Sequence, residues 1–208
     1  MQVTVYGASG KVGRLVVAEL LTHGHTVVAF VHRINPFNGQ YGVTVATGSI
    51  EDQVAVSSAM AGSQAAISTL GSWGSATKTV VSTGTGAIIA AALQHGVQRV
   101  ITVTGAGASS KNDRPTRLDT LTHAFLNLTA PKILKDGETH LQLLEASALD
   151  WTVVRSPIMV GSGSNSYVLS HRLPSLLATI PRRAVAKAIV DQLTDSKYFQ
   201  QAPVIRRG

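Results

Sequence analysis

An α/β fold, a doubly wound parallel sheet in a single domain, is predicted by three observations. Apolar, β-rich runs alternate along the chain with stretches of helical periodicity. Two runs, Val27-Val28-Ala29-Phe30-Val31 and Val100-Ile101-Thr102-Val103, are apolar almost throughout, as parallel strands covered on both faces must be. Third, Gly7-Ala8-Ser9-Gly10-Lys11-Val12-Gly13 sits directly between the apolar run Val3-Thr4-Val5-Tyr6 and a helical pattern. A glycine-rich turn from strand to helix lets backbone approach a pyrophosphate, and the helix N-terminus offers free N–H groups and a positive dipole.

Strands are expected over 3–6, 26–31, 43–46, 65–69, 100–104 and 151–155, and helices over 12–22, 52–61, 77–95, 135–147 and 183–193. The first helix follows from the apolar spacing after Val12 and stops at His23-Gly24, a basic last turn before a C-capping glycine. Ser49-Ile50-Glu51-Asp52 reads as the start of the second, its acids serving as dipole and cap partners. The third ends at His95-Gly96 in the manner of the first. Gly84-Thr85-Gly86, inside that helix, and Gly105-Ala106-Gly107 both lack a third glycine three residues on and are not read as phosphate loops. Segments 108–131, polar and ending in Pro131, and 161–180, opening Gly161-Ser162-Gly163-Ser164-Asn165-Ser166, resist the pattern. Both follow strand ends, where open α/β sheets bind ligands, and they are the candidate substrate-side segments. The closing Arg206-Arg207 reads as a solvated tail. The whole chain, 1–208, is expected to be one Rossmann-like domain.

The 208 residues are 44% hydrophobic and 14% charged, which favours a packed core over disorder. Cysteine is absent, which excludes disulfide scaffolds, thiolate metal sites and cysteine nucleophiles. No apolar run reaches the roughly 20 residues of a membrane span, and the chain opens on a strand pattern rather than a signal segment. A cytoplasmic location away from membranes is therefore expected. The net charge of +7 is spread singly, without an aromatic-interleaved basic stripe, so no nucleic-acid partner is expected. A positive surface suits a phosphorylated cofactor. His23 and His25 flank Gly24 without a third ligand nearby, and no metal is expected. Trp151 falls in a strand and reads as core; Trp73, in a loop, reads as packing or as a ring for a ligand to stack on.

The type of dinucleotide follows from the second strand. NAD selection usually places an acid there, about 20 residues past the glycines, to accept from the ribose 2′-hydroxyl. No Asp or Glu occurs between Glu19 and Glu51, and the strand ends Val31-His32-Arg33. A guanidinium at that place pairs with a 2′-phosphate that a carboxylate would repel. NADP, with NADPH preferred over NADH, is the expected cofactor.

With these residues in view, the chain resembles the atypical short-chain dehydrogenase/reductase group of NAD(P)H-binding proteins, which includes the NmrA-like and the biliverdin reductase B/flavin reductase types. The resemblance spans nearly the whole chain. It rests on the glycine stretch, on Arg99-Val100-Ile101-Thr102-Val103-Thr104, on Ser147-Ala148-Leu149-Asp150-Trp151-Thr152-Val153-Val154-Arg155-Ser156-Pro157, and on Pro181-Arg182-Arg183-Ala184-Val185-Ala186. It implies that Gly7, Ser9, Gly10, Lys11, Val12 and Gly13 hold the pyrophosphate, and that His32 and Arg33 hold the 2′-phosphate end. Ser49 and Ile50 would flank the adenine, and Thr69, Leu70 and Gly71 would line ribose and pyrophosphate. Thr104 and Gly105 would sit near the nicotinamide, with Pro157, Ile158 and Met159 on its far side.

The chemistry is less well marked. Ordinary short-chain dehydrogenases use a Tyr-x-x-x-Lys pair as general acid. None of Tyr6, Tyr41, Tyr167 and Tyr198 has a lysine four residues later, so alcohol oxidation and sugar epimerisation by that route are disfavoured. No G-x-S-x-G elbow is present, which disfavours a hydrolase. Flavin reduction asks less, because the protein mainly aligns two rings and excludes water. Thr104 and His140 are the candidate catalytic residues. Where the flavin reductase type has a serine after the fifth strand this chain has Gly105, and Leu141 takes the usual Glu position, with Lys135, Glu138 and His140 nearby. Two readings stand: a reductase passing hydride to a small flat acceptor such as a flavin or quinone, and a non-catalytic NADP(H) sensor of NmrA-like type that regulates a protein partner.

Overall fold

The computed structural model describes every residue except 74, 114–116 and 176, and the backbone alone at 117–119, 121, 122 and 125. The valine-rich runs become β1 (Gln2–Tyr6), β2 (Thr26–Val31), β3 (Val43–Thr47), β4 (Ala65–Ser68), β5 (Arg99–Gly105) and β6 (Asp150–Ser156). The periodic stretches become α1 (Lys11–Thr22), α2 (Gln53–Met60), α3 (Val80–His95), α4 (Arg117–Thr129), α5 (Pro131–Glu145) and α6 (Arg182–Asp191). The C-terminal third adds β7 (Ile158–Val160), β8 (Tyr167–Ser170), β9 (Thr179–Pro181) and β10 (Val204–Arg207).

Eight strands form one sheet in the order β3-β2-β1-β4-β5-β6-β10-β8. All are parallel but β8, which runs antiparallel to β10. The order changes direction between β1 and β4, the crevice where doubly wound sheets bind nucleotides. Register keeps the carboxyl ends level there, with Tyr6 opposite both Phe30 and Ser68. α1 and α6 cover one face, packing Val16, Leu20, Val185 and Ile189 on Val3, Val5, Ile101 and Val154. α2, α3 and α5 cover the other, with Met60, Ile88, Leu141 and Leu144 on Tyr6, Val100 and Trp151. The Tyr6 hydroxyl donates to Val56 O at 2.7 Å and Thr4 Oγ1 to Ala59 O at 2.9 Å, so β1 tethers α2 by two buried bonds. Asp52 caps α2 as expected, its carboxylate accepting from Val54 N and Ala55 N at 3.0 and 3.1 Å.

Three expectations need correction. Segment 108–131 is not all loop: α4 occupies Arg117–Thr129, and Pro131 opens α5 rather than closing a loop. Proline suits the first helical position, where its missing N–H has no partner to lose. Segment 161–180 contains β8 and β9, and β9 pairs with β7 in a separate two-stranded sheet. Arg206 and Arg207 are no solvated tail but the end of β10, opposite Val168 and Tyr167 of β8.

Arg155 ties this C-terminal third to the rest. It is fully buried at the end of β6. Its Nε donates to Ala202 O and its Nη1 to Ala108 O, both at 2.7 Å, and its two Nη atoms grip the Asp113 carboxylate side on. Removing one partner of a buried ion pair strands the other charge away from water. Arg155→Ala is expected to lower stability by about 3–5 kcal/mol in urea unfolding, and a loss below about 1 kcal/mol would contradict this account.

Candidate functional site

The glycine turn is built by close approach. Gly7 has φ +74°, a conformation that favours glycine, and a Cβ there would lie 3.1 Å from Thr69 Oγ1. A Cβ on Gly13 would lie 2.3 Å from Gly7 O and 2.7 Å from Ala8 O, so this glycine lets α1 press onto the turn. Gly10 N donates back to Gly7 O at 3.0 Å. The Thr69 hydroxyl lies 3.1 Å from both Tyr6 O and Gly7 O and joins the β4 end to the turn. No side chain caps α1 at Gly10, so its first-turn N–H groups stay available to an anion.

Beside the turn opens a cleft of about 510 Å³, lined by Ser9, His32, Arg33, Ser49, Glu51 and Thr77 among others. The first four were expected to hold a dinucleotide, and three separate strand ends bring them together. On the neighbouring wall Gly84 of α3 lets Leu70 and Ile50 come close; a Cβ there would lie 2.4 Å from Leu70 Cδ1 and 2.8 Å from Ile50 Cγ1. Lys11 is exposed in the first turn of α1, Gly71 is exposed after β4, and Val12 packs on the core. Thr104 and Gly105 end β5; Thr104 is half-buried and Gly105 exposed. A Cβ on Gly137 would lie 3.1 Å from Thr104 Oγ1, so α5 passes close to this strand end. Beyond β6, Ile158 is exposed, Met159 packs on the core, and Pro157 lines a second cavity of about 480 Å³. Trp73 is 75% exposed, which removes the packing role.

Sequence reasoning missed two contributors. Glu51, read only as a helix-start acid, shares the cleft with Arg33, so a carboxylate reaches it from beyond β3 rather than from β2. Asp136 on α5 is buried and accepts from Val81 N at 3.2 Å, Ser82 N at 2.9 Å and the Ser72 hydroxyl. It caps α3 from a neighbouring helix and fixes the segment leaving β4.

The proton-donor expectation for His140 is corrected. The ring is fully buried, with Nδ1 2.7 Å from Thr85 Oγ1 and Nε2 2.9 Å from Thr102 Oγ1. Thr85 spends its proton on Val81 O at 2.7 Å, so it accepts from Nδ1–H, which leaves Nε2 to accept from Thr102. Burial pushes the imidazole down to about 4, with the Asp136 charge opposing it. His140 thus faces two threonines inside the core and offers no proton to a ligand. Among the described residues no group of three or more His, Cys, Asp or Glu could hold a metal ion, and no helix is long and apolar enough to cross a membrane.

A parallel sheet in this order, with a glycine turn and an arginine-lined cleft at its switch point, defines a dinucleotide-binding Rossmann protein. Residues 7–196 match the family described as NAD(P)H-binding, and the chain belongs to that family. Its fold is shared with a short-chain dehydrogenase/reductase from Veillonella parvula DSM 2008 in complex with NADP (TM-score 0.79, 21% identity, 99% of this chain and 94% of that one). It is also shared with ChuY, an anaerobillin reductase from Escherichia coli O157:H7 (TM-score 0.78, 20% identity, 100% and 97%). A Rossmann-fold NAD(P)-binding family protein from Shigella flexneri is similar too (TM-score 0.72, 20% identity, 99% and 93%). The NAD(P)H-binding family that the sequence resembles is thus the one matched, and these structures share its fold.

A neutral, depressed histidine in the core makes stability depend on pH. The unfolded chain takes up a proton below the ordinary histidine value of 6.5 while the folded protein does not until about 4. The contribution is therefore complete above 6.5 and is lost as pH falls toward 4. Between pH 7 and pH 4.5 the wild type is expected to lose roughly 2 kcal/mol that His140→Gln does not lose, read as the difference of their urea unfolding curves. Parallel pH profiles for the two proteins would contradict this placement.

Proposed function

We propose that the protein is an NADPH-dependent reductase that passes hydride to a flavin, a quinone or a similar flat acceptor. The observation that carries this reading is the cleft joining Ser9 of the glycine turn to Arg33 at the end of β2. The residues present fit a phosphorylated dinucleotide: the turn has no room for a side chain at Gly7 or Gly13, its N–H groups are uncapped, and Arg33 brings a guanidinium to the same cleft, which suits a 2′-phosphate. Gly7, Gly10, Gly13 and Ser9 would hold the pyrophosphate, His32 and Arg33 the 2′-phosphate, and Ser49 and Ile50 the adenine. Thr104, Gly105 and Pro157 would border the nicotinamide. When bound, NADPH supplies a hydride. The chain's own part is to align the acceptor over the β5 and β6 ends and to keep water out. A flat ring that accepts hydride without a strong protein acid suits a site in which His140 is sealed into the core and no Tyr-x-x-x-Lys pair exists.

The same two observations favour a second reading. Leu141, at the position where the family usually carries Glu, is buried in the core, which suits an NADP(H)-binding sensor that regulates a protein partner. Mixing the protein with NADPH and FMN, FAD or a quinone and following the NADPH absorbance separates the two. Turnover above the spontaneous rate supports the reductase; tight NADPH binding without turnover overturns it in favour of the sensor.

NADPH preference is tested at Arg33. Arg33→Ala is expected to weaken NADPH binding about ten- to hundredfold in a fluorescence titration, the scale of a lost charge-assisted pair, and NADH binding far less. Equal losses for both cofactors would sink the assignment.

A further inference from the structure

Three charge-bearing side chains line the cleft beside the glycine turn. His32 and Arg33 follow Val31, the last residue of β2, which lies opposite Thr47 at the end of β3. Glu51 comes from just past that second strand end, where its N–H donates to Ser49 Oγ at 3.3 Å. All three residues are exposed, and none of them joins an ion pair among the described residues. Arg33 and Glu51 therefore share a cleft without closing on each other. The other charges around it are spent on the protein or stand apart. The Asp52 carboxylate caps α2, and Arg14 Nε donates to Ser9 O at 2.8 Å. Lys78 Nζ donates to Ser72 O at 3.3 Å and to Ser75 O at 2.8 Å, and Lys11 is exposed in the first turn of α1. Of these residue types, histidine alone changes its charge between about pH 5 and 8. Arg33 attracts a 2′-phosphate and Glu51 repels it, so the two strand ends offer opposed fixed charges and His32 tips the balance.

We infer that His32 makes the cofactor preference depend on pH: protonated, it joins Arg33 on the 2′-phosphate, and discrimination of NADP(H) over NAD(H) strengthens on acidification. The inference rests on the NADP reading of this cleft and adds a regulation to it. The sign follows from linkage. A phosphate that holds the protonated ring more tightly draws a proton onto it, so its affinity rises as pH falls through the histidine range. A cofactor with a free 2′-hydroxyl gains no such partner. The 2′-phosphate itself takes up a proton at about pH 6, which lowers its charge and works against the effect. A preference that grows on acidification therefore originates in the protein.

The test is a calorimetric titration of the whole chain with NADP⁺ and NAD⁺, two probes that differ by the 2′-phosphate alone, at pH 8.0 and pH 6.5 and one ionic strength. The ratio of the NAD⁺ Kd to the NADP⁺ Kd is expected to rise about threefold from the higher to the lower pH, the scale of an exposed ion pair. In His32→Asn, a change at an exposed position, the ratio is expected to stay level or to fall. Glu51→Gln is expected to raise the ratio about threefold already at pH 8.0, by removing the opposing charge, and to keep the further rise at pH 6.5. A wild-type ratio that does not rise, a rise that survives in His32→Asn, or a ratio that Glu51→Gln leaves unchanged at pH 8.0 would each overturn the proposal. The two levels separate in the wild type. NADP⁺ binding with a ratio indifferent to pH refutes the role of His32 alone, and no NADP⁺ binding at either pH removes the cofactor reading together with it.

Discussion

A guanidinium with no access to water must place its donors on protein, and Arg155 does so on two separate stretches of chain. Ala202 lies just before β10, while Ala108 and Asp113 belong to the segment that leaves β5. The ends of β5 and β6 are thus joined to the segment that enters β10 through one side chain. The nucleotide half depends on a different kind of constraint, the contact of Gly13 with the carbonyls of Gly7 and Ala8, which sets α1 against β1. One half of the ligand edge is held by charge and hydrogen bonds, the other by the absence of a side chain.

α5 shows how a helix facing a ligand edge can be committed to structure instead. Its inward positions carry Asp136, Gly137, His140, Leu141 and Leu144. Asp136 satisfies the first N–H groups of α3, His140 bridges Thr85 of α3 to Thr102 of β5, and Gly137 lets the helix pass Thr104 closely. Both the Asp136 carboxylate and the His140 ring are thus bonded to the protein. Asp136 and His140 of α5 are thereby committed to holding the fold.

The elements that the sequence made legible are those whose signal is local. β1, β2, β4, β5 and β6 are short apolar runs buried on both faces, and α1 and α2 carry their own boundary residues in Gly10, Gly24 and Asp52. The cleft was legible for the same reason, since Ser9, Arg33 and Ser49 each sit just past a strand. What stayed hidden depends on partners far along the chain. Val204-Ile205 is too short to announce a strand and is followed by two arginines; its place in the sheet comes from Arg155 and from Tyr167–Ser170. A lone histidine on an apolar helix face reads as catalytic or structural until Thr85, 55 positions earlier, is seen to hold its ring. α4 lies in a polar stretch whose composition resembles a loop. Glu51 looked like a helix-start acid because nothing in the local sequence shows that the β2 and β3 ends share one cleft.

The small sheet of β7 and β9 stands apart from the main one, and the start of β9, the end of β10 and the segment after β8 line the cavity beside Pro157, all from residues after 156. The cleft beside the glycine turn is built from residues before 78. The two cavities share no lining residue, so substitutions in the last third of the chain change one without touching the other. Such a division lets the last third of the chain diverge in sequence while the cleft beside the glycine turn is inherited unchanged.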